Sequence, residues 1–286
     1  KLKWNSYEGA AYYTVFYVKG SFHQTPDNSG NPSESKNAGK TETLSNIAIE
    51  HILKGRRVLM LSYSNVSVDG ALLRVAKKVD LPDGMVIRYG YPRTKELVYS
   101  KSLTSYQFVL QKNPSLAQEY QELLEKKKKL KRRAPERLDI NKRINKIRDY
   151  LSEQEKELIH KSAFVATTVS KATVDKAIYA QSFDVVIFDE ASMAYVPQVI
   201  FAAGIAKKYF VCLGDFCQLP AIVQNKDDDR LTKDIFEHTG ITYAVENNEG
   251  HNWLVMLDLQ YRMHQEIADF VSEYMYRGRL KTFNKI

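Results

Sequence analysis

The sequence has 286 residues, 44% of them hydrophobic and 27% charged, with a formal net charge of +8, a composition that fits one large or two medium globular domains. No apolar run approaches the roughly 18 residues that a membrane helix needs. The two cysteines, Cys212 and Cys217, supply neither a zinc-ligand set nor a disulfide framework, so a reducing compartment is expected: the cytoplasm, or the nucleus in a eukaryote. The basic excess points to a polyanionic partner, although much of it sits in one segment. The N-terminus lacks a signal-peptide core, and a start at Lys1 without Met suggests a processed or excised chain.

In chain order, Tyr12 to Val18 is rich in β-formers and ends at Lys19-Gly20, which reads as a strand. Ser21 to Ala38 is polar, with Pro26, Asp27, Asn28, Gly30, Asn31 and Pro32, and reads as a loop. Gly39-Lys40-Thr41 follows and opens a helical pattern through Leu44, Ile47, Ala48 and Ile52. Strand, loop, Gly-Lys-Thr and helix is the order of a phosphate-binding P-loop. The spacing departs from it: the first glycine of the loop should fall at position 34, which is Glu34. Because a carboxylate beside a triphosphate is repelled, Gly20 is the better strand-end glycine, with the polar stretch as an expansion. A nest of backbone N–H groups expanded in this way is less preorganised than usual.

Arg57 to Leu61 reads as a buried strand, followed by Ser62 to Asp69 and a helix through Leu72, Leu73, Val75 and Ala76. The small polar residues at that strand end fit phosphate binding and helix capping equally. Met85 to Arg88 is a short third strand before Gly90-Tyr91-Pro92. From about Ser115 to His160 apolar residues recur at spacings of three, four and seven, broken at Ala134-Pro135 and crowded by Lys126 to Lys129, Lys131, Arg132 and Arg133. Two antiparallel helices joined near Pro135, with a basic tip, fit this pattern. The charge run is either a solvated helix surface, a nucleic-acid guide or a nuclear-localisation signal.

The sheet resumes at Ala163 to Thr168. Phe183 to Phe188 then leads an apolar run into Asp189-Glu190-Ala191-Ser192, the pattern of a strand buried on both faces that delivers carboxylates into a cleft at its carboxyl end. With Gly39-Lys40-Thr41 it suggests a nucleoside triphosphatase. Tyr209 to Leu213 is a further strand, ending in Gly214-Asp215-Phe216-Cys217-Gln218-Leu219-Pro220. Leu257 to His264 precedes an amphipathic helix from Ile267 to Tyr276.

These stretches together resemble superfamily 1 helicases of the subgroup that includes senataxin and the nonsense-mediated-decay helicase. Gly39-Lys40-Thr41 matches the core of motif I, Ser64-Asn65-Val66-Ser67-Val68-Asp69 motif Ia, and Ala166-Thr167-Thr168 the next nucleic-acid motif. Asp189-Glu190-Ala191-Ser192 matches motif II, Gly214 to Pro220 motif III, and Gln260-Tyr261-Arg262-Met263-His264 motif IV. The resemblance covers roughly residues 36 to 286. It implies an α/β fold: a RecA-like P-loop NTPase with a parallel sheet flanked by helices and an inserted antiparallel helical hairpin. The expected division is 1–100 and 162–255 for the two parts of the first RecA-like domain, 101–161 for the insertion and 256–286 for the start of a second RecA-like domain. The family's Gly-Pro-Pro-Gly-Thr is missing before Gly39, and Gln24 lies inside the odd loop, so no adenine-reading glutamine is evident. Motifs V and VI and a second arginine finger do not occur in these 286 residues.

The resemblance also implies roles. ATP and Mg²⁺ are the expected cofactors. Gly39 belongs to the phosphate cradle, Lys40 reaches the β and γ phosphates, and Thr41 and Asp189 hold the metal. Glu190 orients or deprotonates the attacking water, Gln218 senses the γ-phosphate, Arg262 is the γ-phosphate finger and Tyr261 stacks on the base. The bland alternatives make Tyr261 a core aromatic and Arg262 a surface ion pair. Ser64, Asn65, Thr167, Thr168 and Pro220 are the expected contacts to single-stranded DNA or RNA, and the implied direction of travel is 5′ to 3′. A second RecA-like domain, in cis or on a partner subunit, would complete the ATP site, so residues 1 to 286 alone are expected to bind nucleotide weakly and not to unwind a duplex. No membrane partner is expected. Two rival readings stand beside this one: a non-catalytic nucleic-acid-binding scaffold with a degraded P-loop, and an ATPase that switches on a partner protein without moving on nucleic acid.

Overall fold

Among the described residues seven stretches pair into one sheet: β1 (Tyr12–Val18), β2 (Val58–Ser62), β3 (Val86–Arg88), β4 (Phe164–Thr168), β5 (Phe183–Phe188), β6 (Ala206–Gly214) and β7 (Leu254–Leu257). In the computed structural model they lie in the order β3-β4-β2-β5-β6-β1-β7, with each pairing parallel. The structure describes residues 12–18, 40–131, 134–225, 228–261 and 263–283. Gly20, the polar stretch 21–38 with Gln24 and Glu34, Gly39, Arg132, Arg133 and Arg262 lie outside the described residues.

Parallel strands need helical crossovers, and these cover both faces of the sheet. Alternation along each strand sends Met60, Ala166 and Ile187 to one face, where they pack with Leu44 and Ala48 of α1 (Lys40–Leu53) and Leu72 of α2 (Asn65–Lys78). Leu61, Val186 and Phe188 face the other way into a second core. The described connection from β3 to β4 holds α3 (Lys95–Val98), α4 (Ser105–Lys112), α5 (Pro114–Lys129) and α6 (Glu136–Lys161). Beyond β4 come α7 (Val169–Val174) and α8 (Lys176–Tyr179), then α9 (Val196–Gly204). After β6 follow α10 (Asp229–Thr232), α11 (Ile235–His238) and α12 (Ile241–Glu246). Val169, Ile178, Val199, Phe236 and Ile241 from these crossovers fill the second core.

Helices α5 and α6 run antiparallel, as their cross-contacts show: Arg143 pairs with Glu119, Arg148 donates to the Tyr120 hydroxyl at 3.0 Å, and Tyr150 donates to Asn113 at 3.4 Å. Val109, Tyr120, Ile144, Ile147 and Leu151 make a separate core for this unit. Pro114 starts α5 where a missing N–H costs nothing.

One expected boundary moves. A second unit was expected to begin at residue 256, but that position lies inside β7, which pairs with β1 and buries Leu257 in the first core. The first sheet therefore runs through Leu257. After it, β8 (Leu259–Gln260) and β9 (Lys281–Thr282) pair with each other, with α13 (Gln265–Tyr276) between them. Among the described residues no helix is long and apolar enough to cross a membrane.

Candidate nucleotide site and strand-facing edge

Register puts the strand ends side by side: Ser62 lies opposite Thr168, Leu61 opposite Phe188, and Phe188 opposite Cys212. The carboxyl ends of β2, β4, β5 and β6 thus form one edge, where an open parallel sheet keeps its ligands.

Lys40 is the first residue of α1, and its ammonium donates to both carboxylate oxygens of Glu190, at 2.8 and 2.9 Å. The residues are far apart in sequence; the pair forms because α1 begins beside the end of β5. Glu190 has φ +57°, a left-handed conformation that is costly for a residue with a Cβ. That backbone kink ends β5 abruptly and turns the carboxylate toward Lys40. Asp189, one residue earlier, is buried, and among the described residues its Oδ1 has no hydrogen-bond partner. Burial, and then the Glu190 charge, push the Asp189 carboxyl up to about 7, against the pull of Lys40.

An orphaned carboxylate oxygen beside a second carboxylate is the donor chemistry that a hard divalent cation takes, so the residues present fit Mg²⁺. Asp189 would hold it, with the Thr41 hydroxyl as the second expected ligand. Thr41 is half-buried in the first turn of α1, with its carbonyl accepting from Ser45 at 2.7 Å.

The turn after β6 is built around Asp215. Its Oδ1 accepts from the Cys217 N–H at 3.1 Å, and its Oδ2 accepts from Gln218 Nε2 at 2.9 Å and from the Tyr276 hydroxyl at 2.6 Å. Asp215 thereby holds Gln218 and ties the end of β6 to α13. Gly214 permits this approach, since a Cβ there would meet Phe236 at 2.7 Å and the Ser192 nitrogen at 3.1 Å. Tyr261 packs its ring against Phe283, centroids 4.6 Å apart, and Gln260 uses its amide to fold its own turn, accepting from Met263 N–H and donating to Thr282.

The expected strand-contacting residues divide. Ser64 is exposed and caps α2, accepting from Ser67 N–H at 3.4 Å; Thr168 caps α7, accepting from Lys171 N–H at 3.3 Å. Pro220 is exposed. Asn65 is half-buried, its Oδ1 held by Arg88 Nη2 at 2.7 Å. Thr167 requires a correction: it is fully buried, and its hydroxyl donates to the Tyr89 carbonyl at 2.9 Å, so its side chain braces the loop after β3 from inside. Alternation explains this, because on a strand buried on both faces the penultimate residue still points inward.

Sequence reasoning also missed the Arg88–Asp69 ion pair behind Asn65, at 2.8 Å, with side chains 1% and 0% exposed. The signal was available: an arginine ending the apolar run Met85-Val86-Ile87 cannot be buried unpaired.

A family model described as an AAA domain matches residues 29–226, and a second AAA domain model matches residues 238–286. The chain is 30% identical over 261 residues to the DNA polymerase alpha-associated DNA helicase A of Saccharomyces cerevisiae, covering 85% of this chain and 37% of that protein. It is 29% identical over 258 residues to the DNA-binding protein SMUBP-2 of Rattus norvegicus, covering 85% and 25%. With the ATP-dependent helicase upf1 of Schizosaccharomyces pombe the identity is 30% over 226 residues, covering 78% and 22%. The chain thus spans well under half the length of these relatives.

Proposed function

Because the chain belongs to the AAA domain family, and within it to the superfamily 1 helicases of the senataxin and nonsense-mediated-decay type, we propose that it is the ATP-binding part of a motor that hydrolyses ATP and moves 5′ to 3′ on single-stranded nucleic acid. The relatives' names, two DNA helicases or DNA-binding proteins and one ATP-dependent helicase, support a nucleic-acid track without choosing DNA or RNA. One observation carries the reading. The Lys40 ammonium, both Glu190 oxygens and an Asp189 oxygen with no partner among the described residues converge at the end of β5.

Bound Mg²⁺ would supply charge neutralisation at the β and γ phosphates, with Asp189 and Thr41 holding it. The chain's own steps are these. Lys40 exchanges Glu190 for phosphate oxygens, because a triphosphate is the stronger anion. Glu190, released, accepts a hydrogen bond from the attacking water and takes its proton as the water oxygen bonds to the γ-phosphorus and the bond from that phosphorus to the β–γ bridging oxygen breaks, ADP carrying away that oxygen. Gln218 is held by Asp215 next to Tyr276, so a change at the γ-phosphate is passed to α13. Arg262 neutralises charge developing on the transferred phosphoryl group, and Tyr261 offers its ring to the adenine. Gly39 joins the cradle. A second RecA-like domain closes the other side of the site. Ser64, Asn65, Thr168 and Pro220 face the strand and, apart from Pro220, contact phosphate and sugar, which positions without reading sequence.

The test is strand displacement by the full-length protein on duplexes with a 5′ or a 3′ single-stranded overhang, with ATP or a non-hydrolysable analogue. Displacement only from the 5′ overhang and only with ATP is the expected result. Tight strand binding without any hydrolysis overturns the motor and leaves the scaffold reading.

A further inference from the structure

A single buried side chain organises two surface groups that the motifs do not connect. Arg88 ends β3 and turns inward. Its Nε donates to Asp69 Oδ1 at 2.8 Å, its Nη1 to the Tyr89 carbonyl and, at 3.5 Å, to the Ala166 carbonyl. The remaining nitrogen, Nη2, donates to Asn65 Oδ1 at 2.7 Å and to the Tyr91 carbonyl at 3.4 Å. Asn65 and the backbone of Tyr91 are therefore held by one atom, two hydrogen-bond lengths apart at most.

This arrangement settles which way Asn65 faces. A guanidinium only donates, so the Asn65 atom turned toward it must be the oxygen, and the NH₂ group is turned away from Arg88. A half-buried amide fixed in this way offers donors only, the complement of phosphate and sugar oxygens.

The same pair shapes the loop that follows β3. Asp69 Oδ2 accepts from the backbone N–H groups of Arg93 and Thr94 at 2.6 and 2.9 Å, and Thr167 holds the Tyr89 carbonyl from inside. Gly90 has φ +96°, which only glycine adopts cheaply, and Pro92 keeps Tyr91 extended. On this fixed loop Tyr91 is 89% exposed, while Arg93 is exposed beside it. A loop held in this way, with its Tyr91 carbonyl sharing Arg88 with the Asn65 amide and with Tyr91 and Arg93 exposed on it, fits a polyanion that also carries flat faces.

We propose that Tyr91 is a base-stacking contact for a single strand, set beside the donor amide of Asn65 by the buried Arg88–Asp69 pair. The two groups act on one stretch of strand, with the amide on the backbone and the ring on a base. This rests on the nucleic-acid motor reading above.

The experiment measures binding of a labelled single strand to the full-length protein by fluorescence anisotropy, with no nucleotide present. Stacking on an aromatic contributes about 1–3 kcal/mol per base, so Tyr91→Ala should weaken binding by about 5- to 150-fold. Tyr91→Phe keeps the ring and should bind as the parent does. Asn65→Asp keeps the acceptor for Arg88, so the thermal midpoint should hold, while the lost donor and added charge weaken binding. On a strand of abasic sites the gap between Tyr91→Ala and the parent should close. Parent-like binding by Tyr91→Ala, or an equal loss on the abasic strand, overturns the proposal. A parent protein that neither binds strand nor hydrolyses ATP faster in its presence defeats the motor reading too, whereas strand-stimulated hydrolysis indifferent to Tyr91→Ala defeats this proposal alone.

Discussion

Two charged clusters lie along the same sheet edge, and they are built in opposite ways. At the end of β5, Lys40 and Glu190 remain 20% and 24% exposed, one Asp189 oxygen has no hydrogen-bond partner among the described residues, and the backbone of Glu190 is left-handed. Behind the end of β3, Arg88 and Asp69 are sealed from solvent, and Asp69 accepts hydrogen bonds at both oxygens. The first cluster is unfinished in polar terms and suits a partner that brings charge with it. The second is finished and suits holding other groups still. A buried, satisfied ion pair specifies a shape; an unsatisfied one marks a place where a ligand completes the accounting.

The comparison breaks most visibly at Asp69. Asp69→Ala strands a buried guanidinium and frees the Arg93–Thr94 backbone, and breaking such a pair costs about 3–5 kcal/mol. Chemical denaturation should register that loss as a lower midpoint. Tyr276→Phe removes a 2.6 Å hydrogen bond to the Asp215 carboxylate. Bonds of that kind contribute about 1.5–3 kcal/mol, so the same denaturation should show a smaller fall, together with weaker coupling of hydrolysis to strand. Lys40→Ala sharpens the contrast: the half-open pair it removes contributes within about 1 kcal/mol, so the midpoint should barely move while ATP hydrolysis disappears.

The smallest effect concerns Glu155 of α6, whose carboxyl is raised by burial although Ser105 donates to it at 2.6 Å. A folded-state pKa above the unfolded value means stability that is full at acid pH and lost as pH rises through the folded value. Glu155→Gln removes that loss, so its thermal midpoint should gain on the parent as pH climbs from 5 to 8. A constant difference across that range would show that the group is not destabilised by its charge.

The parallel sheet was legible because strands buried on both faces must be continuous apolar runs, and Val58 to Leu61, Val185 to Phe188 and Tyr209 to Leu213 are such runs. Lys40 stood out because it follows Gly39 and opens a helical pattern, and Asp189 and Glu190 because two carboxylates end the apolar run of β5. Ser64 and Thr168 were ambiguous for a physical reason: a hydroxyl at a strand-to-helix turn caps the helix whether or not it also meets a ligand, and both cap here. Thr167 was misread because spacing does not reveal which face of a doubly buried strand is last to reach solvent. The place of β7 in the first sheet was hidden because its partner, β1, comes from the opposite end of the chain. The Arg88 network escaped because it joins residues from β3, β4 and α2 that only the sheet register brings together.

The most direct test of the unfinished cluster is ATP hydrolysis by the full-length protein, with and without single-stranded DNA and RNA, beside Glu190→Gln. General-base removal costs about 10²- to 10⁴-fold. The account predicts hydrolysis that rises with strand and falls by that factor in the variant, while the folded state is kept. Equal hydrolysis by Glu190→Gln and the parent would contradict it.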